Sequence, residues 1–326
     1  MKYRQLGKTN YQVSEIGYGT WAMGFMWGPR RDEEAITSLR YAWDSGLNFV
    51  DTAYLYGNGH SERLIAEAKE SSDQKNSLII ATKCPPKTRA WPPQPGTSFC
   101  EAFPLDYLLE TTEKSRQNLK VDQIDIQQLH VWLPEWLEQE EFPQAIEELK
   151  KRGLIKHFGV SLNDHDPNSG LALVQSGLVD SIQVIFNLFD QTPRKRLFPL
   201  CQENGVGVIV RVPLDEGGLT GTLTPQTQFV KSDWRRHYFK EGRLKETCEH
   251  AAQFDFLIQP SMQSLAQAAL KFCLSEAAVS TVIVGMRSVD HVKQNLAVSE
   301  LSDFTKEELD KAYSLEWPRN YYPTFS

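Results

Sequence analysis

Four residues with titratable side chains stand at or near the ends of strand-like runs. Asp51 closes the run NFVD, and Tyr56 follows it five residues later in DTAYLYGNGHSE. Lys83 ends the apolar run IIATK, and His130 ends DIQQLH. The carboxyl ends of adjacent parallel strands meet at one edge, so this spacing would bring the four side chains together. We therefore predict a catalytic group made of an aspartate, a tyrosine, a lysine and a histidine.

These four residue types together suit proton transfer to a carbonyl oxygen. A tyrosine has an ordinary pKa of about 10, and a nearby ammonium group is expected to lower it. A carboxylate beside the lysine keeps the lysine charged when both are buried. A histidine N–H can orient the substrate oxygen and stabilise charge on it. Taken singly each residue has an ordinary structural interpretation, but a lysine that closes a buried strand must find a partner.

Short apolar runs alternate with helix-like segments along the chain. The candidate strands span residues 15–21, 48–53, 77–83, 123–130, 156–162, 181–187, 206–212 and 280–286. The candidate helices span residues 32–45, 61–70, 105–119, 142–152, 168–176, 194–204, 262–275 and 289–299. A strand followed by a helix, eight times over, predicts an α/β fold of the closed (β/α)8 or TIM-barrel type. A doubly wound open sheet is the rival architecture.

Three segments depart from this repeat. Residues 1–14 predict a β-hairpin around Gly7-Lys8-Thr9-Asn10, which in a barrel would cap the bottom. Two long connections, 84–104 and 215–261, interrupt the alternation of strands and helices. Long loops of this kind are often functional. The repeat resumes after each of them, so we expect one domain over residues 1–326 with long loops at the carboxyl-terminal face. Helix starts are expected at Asp32 and at Ser61.

The motif DTAYLYGNGHSE, the lysine of IIATK and the histidine of DIQQLH resemble the catalytic tetrad of the aldo-keto reductase superfamily. The resemblance runs from GYGTW near residue 17 to VKQNL near residue 296. It implies a (β/α)8 barrel that binds NADPH or NADP+ in extended form and interconverts aldehydes or ketones and alcohols. By this resemblance Tyr56 is the general acid, Lys83 and Asp51 tune it, and His130 orients the carbonyl.

The same resemblance implies a set of residues that bind the cofactor. They are Gly19, Thr20, Trp21, Asp51, Ser161, Asn163, Gln183, Arg211, Leu214, Gly217, Gly285, Arg287, Gln294 and Asn295. Leu162 interrupts the usual Ser-Asn pair, which leaves open whether Asn163 or Asp164 meets the nicotinamide carboxamide. Arg211 stands where the family often has a stacking tyrosine, and a guanidinium can also stack on a ring. Arg287 beside a helix start suits a 2′-phosphate, which favours NADPH over NADH.

Aromatic residues near the predicted rim indicate where a substrate would bind. Trp27, Trp91 and Trp132 are expected to face it, with Phe25 and Met26 nearby. An aromatic rim favours apolar or aromatic aldehydes and ketones over charged sugars. The C-terminal segment WPRNYYPTFS is expected either to cover this pocket or to contact another chain.

Composition and charge argue against several other classes of partner. The net charge is −7 with no basic block, so a nucleic-acid partner is not expected. No apolar run approaches the length that spans a bilayer, so no membrane partner is expected. Five cysteines without a CxxC pair, and an N-terminus without a signal-like apolar core, predict a cytoplasmic protein. No HxH or HExxH spacing supports a metal site, and the oligomeric state stays open.

Three other functional interpretations compete with the reductase hypothesis. The run IGYGTWA matches a loose GxGxxA fingerprint, but no helix is expected to open after it, so we interpret it as a barrel strand. A nicotinamide-binding regulatory or subunit protein with little turnover could share the same fold. A metal-dependent barrel hydrolase is disfavoured by the lack of paired metal ligands.

Overall fold

A closed barrel of eight parallel strands forms the centre of the protein. The computed structural model describes residues 1–24, 27, 31–70 and 78–322. Its strands are β1 (Tyr3–Gln5), β2 (Gln12–Ser14), β3 (Ile16–Gly19), β4 (Phe49–Asp51), β5 (Ile79–Cys84), β6 (Ile124–Leu129), β7 (Ile155–Ser161), β8 (Ser181–Ile185), β9 (Gly207–Arg211) and β10 (Val279–Gly285). Strands β3 to β10 pair in sequence order, and β10 closes the barrel against β3. The barrel prediction is confirmed, and the open-sheet rival is excluded.

Helices surround the barrel and connect its strands. They are α1 (Asp32–Asp44), α2 (His60–Glu70), α3 (Phe99–Ala102), α4 (Leu105–Leu119), α5 (Glu141–Lys151), α6 (Leu171–Gln175), α7 (Pro193–Glu203), α8 (Arg235–Tyr238), α9 (Arg243–Ala252), α10 (Leu265–Leu274), α11 (Val289–Ala297) and α12 (Lys306–Ser314). Each predicted helix corresponds to one of these. None of the helices within the described ranges is long and apolar enough to cross a bilayer.

Local chemistry changes some of the predicted boundaries. Helix α2 begins at His60, one residue before the predicted start at Ser61, and the Ser61 hydroxyl is buried and donates to Thr20 Oγ1 at 2.7 Å. The first barrel strand ends at Gly19, because a 3₁₀ helix begins at Trp21. Helix α12 was not predicted, although Thr305 and Glu308 form a capping box that the sequence spells as T-x-x-E.

The N-terminal hairpin closes the amino-terminal end of the barrel, as predicted. Strands β1 and β2 pair antiparallel around a 3₁₀ turn that spans Gly7–Thr9. A small apolar cluster joins the hairpin to the barrel interior; its buried members are Leu6, Val13, Phe49, Ile79, Ala81, Ile126, Ile209 and Ile283. Gly7 has φ +51°, and an added Cβ would collide with the backbone nitrogen of Gly207. Only glycine therefore fits this approach of turn to barrel.

Two connections and the C-terminal segment cover the opposite, carboxyl-terminal end. The connection after β5 contains α3, and the connection after β9 contains α8 and α9. Trp317 begins the C-terminal segment, with its N–H donating to the Phe189 carbonyl at 2.9 Å. Arg243 then donates to the Tyr321 carbonyl at 3.3 Å, which ties the segment to α9. The candidate site lies beneath these connections.

Candidate functional site

The buried ion pair of Lys83 and Asp51 lies at the carboxyl-terminal rim of the barrel. Asp51 ends β4, and Lys83 is the penultimate residue of the neighbouring β5. Lys83 Nζ lies 2.5 Å from Asp51 Oδ1 and donates to the Thr52 carbonyl at 2.8 Å. The two side chains are only 1% and 2% exposed. Two charges so far from water persist only with close geometry and additional hydrogen bonds.

The other oxygen of Asp51 supplies those additional bonds. Asp51 Oδ2 accepts from Gln183 Nε2 at 2.7 Å and from Gln128 Nε2 at 3.3 Å. Gln183 was expected to contact the cofactor carboxamide, and here it holds the carboxylate. Gln128 was missed, although it is paired in register with Lys83 across β5 and β6. The carboxylate is therefore fixed from three directions.

Tyr56 and His130 complete the predicted group of four. Lys83 Nζ lies 5.2 Å from the centroid of the Tyr56 ring. The centroid of the His130 ring lies 5.8 Å from that of Tyr56, with the rings nearly perpendicular. His130 follows β6 directly, and its backbone N–H donates to the Cys84 carbonyl at 3.0 Å. The structure thus brings all four predicted catalytic side chains together.

The protonation states of this group differ from the expectation that the ammonium makes the phenol acidic. Burial raises the pKa of Tyr56 far above its usual range, and Asp51 raises it further. Burial lowers the pKa of Lys83, and Asp51 opposes that effect. Burial, followed by the charges of Lys83 and Arg211, holds the pKa of His130 well below its usual value. In this arrangement Tyr56 is a neutral phenol and His130 a neutral imidazole.

A chain of buried hydroxyl groups fixes the backbone beneath these residues. Thr20 Oγ1 donates to the Asp51 carbonyl at 3.0 Å and accepts from Ser61 Oγ at 2.7 Å. Thr52 Oγ1 donates to Ser61 Oγ at 3.0 Å. Glu62 Oε1 accepts from Thr82 Oγ1 at 2.7 Å, beside Lys83. The Ser-Glu pair of DTAYLYGNGHSE therefore positions the strand ends that carry the predicted catalytic group.

The residues expected near the nicotinamide are already engaged with other protein groups. Asn163 Nδ2 donates to the Trp132 carbonyl at 2.6 Å, and its Oδ1 accepts from the Trp132 N–H at 3.1 Å. Asp164 Oδ1 accepts from Arg211 Nη2 at 2.8 Å, and the same nitrogen donates to the Leu162 carbonyl at 3.0 Å. Ser161 ends β7 and is buried. Asn163 and Asp164 therefore both make hydrogen bonds to other residues of the protein.

The residues expected at the phosphate end occupy the adjoining part of the rim. Gly19, which was expected near the nicotinamide, connects the two parts of the rim, because it is paired with Asp51 on one side and with Gly285 on the other. An added Cβ at Gly285 would meet nothing within 4 Å, so the backbone there is open. Ser288 caps α11, and Arg287 directly precedes this cap. An open backbone, an arginine and a helix N-terminus fit the phosphate of a dinucleotide.

Other residues that were predicted to bind the cofactor have groups that are buried or already hydrogen-bonded within the protein. Gly217 has φ +101°, but its N–H donates to the Leu214 carbonyl at 2.9 Å, so that amide is already used. On α11, Gln294 is exposed and Asn295 is buried. The Gln294 carbonyl accepts from Gln267 Nε2 at 2.8 Å.

The loop PLDEGG, which contains Leu214 and Gly217, also carries two buried acids. The sequence analysis did not predict them as site residues. Asp215 and Glu216 both have positive φ, at 47° and 54°. Asp215 Oδ2 lies 2.5 Å from Arg319 Nη2, so its charge is neutralised by the C-terminal segment. Tyr322 donates to Glu216, and burial raises the pKa of Glu216 to about 8. The loop therefore carries little net negative charge at neutral pH.

The three tryptophans expected to face substrate have different positions. Trp91 packs against the edge of His130, with ring centroids 4.6 Å apart. Trp27 packs against Trp21 at 5.7 Å. Trp132 is fully buried and donates from Nε1 to the Ser169 carbonyl at 3.0 Å, so it is a core residue. Phe25 and Met26 lie outside the described residues.

An arc of aromatic rings, missed in part by sequence reasoning, covers the rim. We call Trp27, Trp21, Trp234 and Tyr322 the aromatic arc. Trp21 lies 5.1 Å from Trp234, which stacks on Tyr322 with centroids 5.8 Å apart and an interplanar angle of 13°. Tyr322 lies in the C-terminal segment, so the described part of that segment, residues 317–322, contributes a ring to this arc. Within the described ranges, no group of three or more His, Cys, Asp or Glu residues forms a site for a metal ion.

Comparison with known proteins gives one consistent result. The sequence matches the family model described as "Aldo/keto reductase family" over residues 15–316. It is 29% identical over 313 residues to the "Uncharacterized oxidoreductase YqkF" of Bacillus subtilis strain 168, covering 95% of this chain and 94% of that protein. It is 27% identical over 318 residues to the "NADH-specific methylglyoxal reductase" of Escherichia coli K12, covering 93% and 94%.

A solved structure agrees with the sequence comparisons. The holo form of aldo-keto reductase AKR11C1 from Bacillus halodurans superposes with a TM-score of 0.74 at 26% identity. The superposition covers 97% of this chain and 96% of that one. The matched range of the family model includes all four residues of the predicted catalytic group.

Proposed function

We propose that this chain, which belongs to the aldo/keto reductase family of oxidoreductases, reduces aldehydes and ketones to alcohols with NADPH. The observation that carries this proposal is the convergence of Tyr56, His130 and the Lys83–Asp51 ion pair at one rim. The reverse reaction uses the same groups. Bound NADPH would supply the hydride that reaches the carbonyl carbon.

The protein's part in the reaction is to bind the carbonyl oxygen and protonate it. A neutral His130 can donate one N–H to that oxygen and so hold it near Tyr56. The phenol, kept protonated by burial and by Asp51, gives up its proton only to the stronger base that forms on the oxygen during reduction. Lys83 remains beside the phenol ring and stabilises the negative charge left on it.

The open backbone at Gly285 and the position of Arg287 before α11 support a phosphate-binding role for this end of the rim. Gly19, Thr20 and Ser161 border the part where a nicotinamide would lie. We assign NADPH over NADH on Arg287, whose guanidinium suits a 2′-phosphate. One relative is named as NADH-specific, so the family includes both choices. The ratio of kcat/KM with NADPH to that with NADH tests the assignment.

Turnover with a panel of aldehydes tests the proposed function. We expect NADPH consumption with aromatic and aliphatic aldehydes, and a loss of about 10²- to 10⁴-fold in kcat for Tyr56→Phe. Tyr54→Phe is the matched control, since Tyr54 lies in the same loop and its removal should leave kcat nearly unchanged. Tight NADPH binding without turnover of any carbonyl would instead favour the regulatory or subunit alternative.

A further inference from the structure

A buried histidine–carboxylate pair lies in the loops that follow β7 and β8. His165 Nδ1 is 2.5 Å from Asp190 Oδ2, and the two side chains are 10% and 2% exposed. Thr192 fixes the carboxylate, donating to Asp190 Oδ1 from its backbone N–H at 3.0 Å and from its hydroxyl at 2.5 Å. This pair has no part in the proton transfer described above.

The pair requires a hydrogen atom on Nδ1 of His165. Burial alone would raise the pKa of Asp190, but hydrogen bonds from His165 and Thr192 outweigh it and lower that pKa. An ionised carboxylate only accepts, so Nδ1 must be the donor. The other ring nitrogen, Nε2, is buried without a partner among the described residues. Such a group is costly unless a ligand or water satisfies it.

The pair adjoins the catalytic rim. Asp164, the residue before His165, binds Arg211, whose Nε is also buried and without a partner within the described part of the chain. The charge of Arg211 acts on Tyr56 and on His130. The His165 ring lies 5.9 Å from that of Tyr322, the last member of the aromatic arc. Two buried nitrogens without partners, His165 Nε2 and Arg211 Nε, therefore lie on residues that are connected through Asp164.

We propose that His165, oriented by Asp190 and helped by Arg211, binds an uncharged hydroxyl group of the substrate, so that hydroxylated carbonyl compounds are preferred. This inference rests on the proposed function. A hydroxyl both donates and accepts, so it can satisfy the Arg211 Nε donor and the His165 Nε2 atom whichever role that nitrogen takes. An anionic group is disfavoured, because Asp164 and Asp190 lie beside the two nitrogens. The aromatic arc likewise suits an uncharged ligand.

Matched substrates of equal carbon number test the inference. We expect the wild-type protein to favour glyceraldehyde over propanal in kcat/KM, and His165→Leu to reduce that ratio about tenfold with propanal unaffected, as for the loss of one hydrogen bond. His165→Gln, which keeps a polar side chain, should retain part of the preference and guards against misfolding. His157→Leu is the control, since His157 also lies beside an aspartate, at 3.6 Å from Asp180, but in the middle of β7.

Different outcomes separate the possible sources of the hydroxyl group. An unchanged substrate ratio with weaker NADPH binding would assign His165 to a cofactor ribose and overturn the proposal. An equal loss with both aldehydes would reveal a structural role and overturn it as well. An unchanged ratio and unchanged NADPH binding would leave only water at His165, with the same consequence.

A binding measurement keeps the inference separate from the proposed function. Glycerol and 1-propanol are titrated against the cofactor-saturated protein, with tryptophan fluorescence as the readout. Glycerol should bind more tightly than 1-propanol, and His165→Leu should abolish the difference. If no aldehyde is reduced but this difference is found, the reductase proposal fails and the hydroxyl site stands. If aldehydes are reduced and no difference is found, only the hydroxyl site fails.

Discussion

At the scale of single residues, the site combines a buried ion pair with two neutral proton carriers. Asp51 accepts three hydrogen bonds from side chains, one of them from Lys83. This arrangement keeps a cation beside Tyr56 even though burial lowers the pKa of that lysine. The phenol is protonated over the whole physiological range because burial and Asp51 raise its pKa. The residue chemistry therefore suits proton donation during reduction.

Removing one member of the ion pair should be far more harmful to stability than removing both. We expect Lys83→Met to lower the free energy of unfolding by about 3 to 5 kcal/mol, because Asp51 is left charged and buried. The double variant Lys83→Met with Asp51→Asn should recover most of this loss, although both proteins should be inactive. Urea denaturation measures the difference. A double variant no more stable than the single one would show that the pair is not electrostatically coupled.

Glu216 should make the protein less stable as the pH rises. Its pKa is raised from 4.5 to about 8 in the folded protein, so the folded state binds the proton more tightly than the unfolded state. The stabilisation is complete below the unfolded pKa and is lost between the two values, by at most about 1.4 kcal/mol per pH unit. Glu216→Gln should lack this loss. Urea midpoints for both proteins across this pH window check it, and parallel pH curves would contradict the assignment.

At the scale of elements, the alternation of strand and helix could be predicted, whereas the connections could not. Parallel strands are marked by continuous apolar runs such as IIATK, and their order follows from the chain. The position of Trp132 depends on its contacts with Asn163 and Ser169 in a following loop, which no local pattern records. The Arg319–Asp215 contact spans 104 residues in sequence, so it too lies beyond local patterns.

The C-terminal segment should depend on Arg319. Its guanidinium binds Asp215 and lies 4.1 Å from the Trp317 ring, with both charged groups buried. We expect Arg319→Ala to lower the free energy of unfolding by about 3 to 5 kcal/mol, since Asp215 remains buried without a cationic partner. The matched control is Lys306→Ala, which removes an exposed pair with Asp310 and should cost less than about 1 kcal/mol. Equal effects in urea denaturation would argue against a tightly held segment.

At the scale of the whole molecule, the two ends of the barrel differ in composition and in their expected roles. The hairpin and an apolar cluster close one end, and the charged and aromatic groups gather at the other. The overall charge of −7 and the absence of a basic block were enough to argue against nucleic acid as a partner. The net charge and the composition did not reveal that the buried acids at the carboxyl-terminal end of the barrel are ion-paired or protonated. Those states depend on contacts between distant segments of the chain.

Closure of the amino-terminal end should depend on Gly7. Gly7 and Gly153 both have positive φ, but an added Cβ meets the backbone of Gly207 at the first and nothing within 4 Å at the second. Alanine at either position costs about 1 to 2 kcal/mol for the backbone conformation. Gly7→Ala should cost about 1 to 3 kcal/mol more, because it also overpacks the barrel floor. Similar unfolding free energies for the two variants would contradict the close approach.

The central claim is that Tyr56 reacts as a neutral phenol held beside the buried Lys83–Asp51 pair. The most direct measurement is the single-turnover rate of NADPH oxidation by an aldehyde from about pH 6 to about pH 10. We predict a rate that stays level throughout for the wild-type protein, because the acid remains protonated, and one about 10²- to 10⁴-fold lower for Tyr56→Phe. A wild-type rate that falls with a midpoint near neutral pH, or a phenylalanine variant that keeps full activity, would contradict the account.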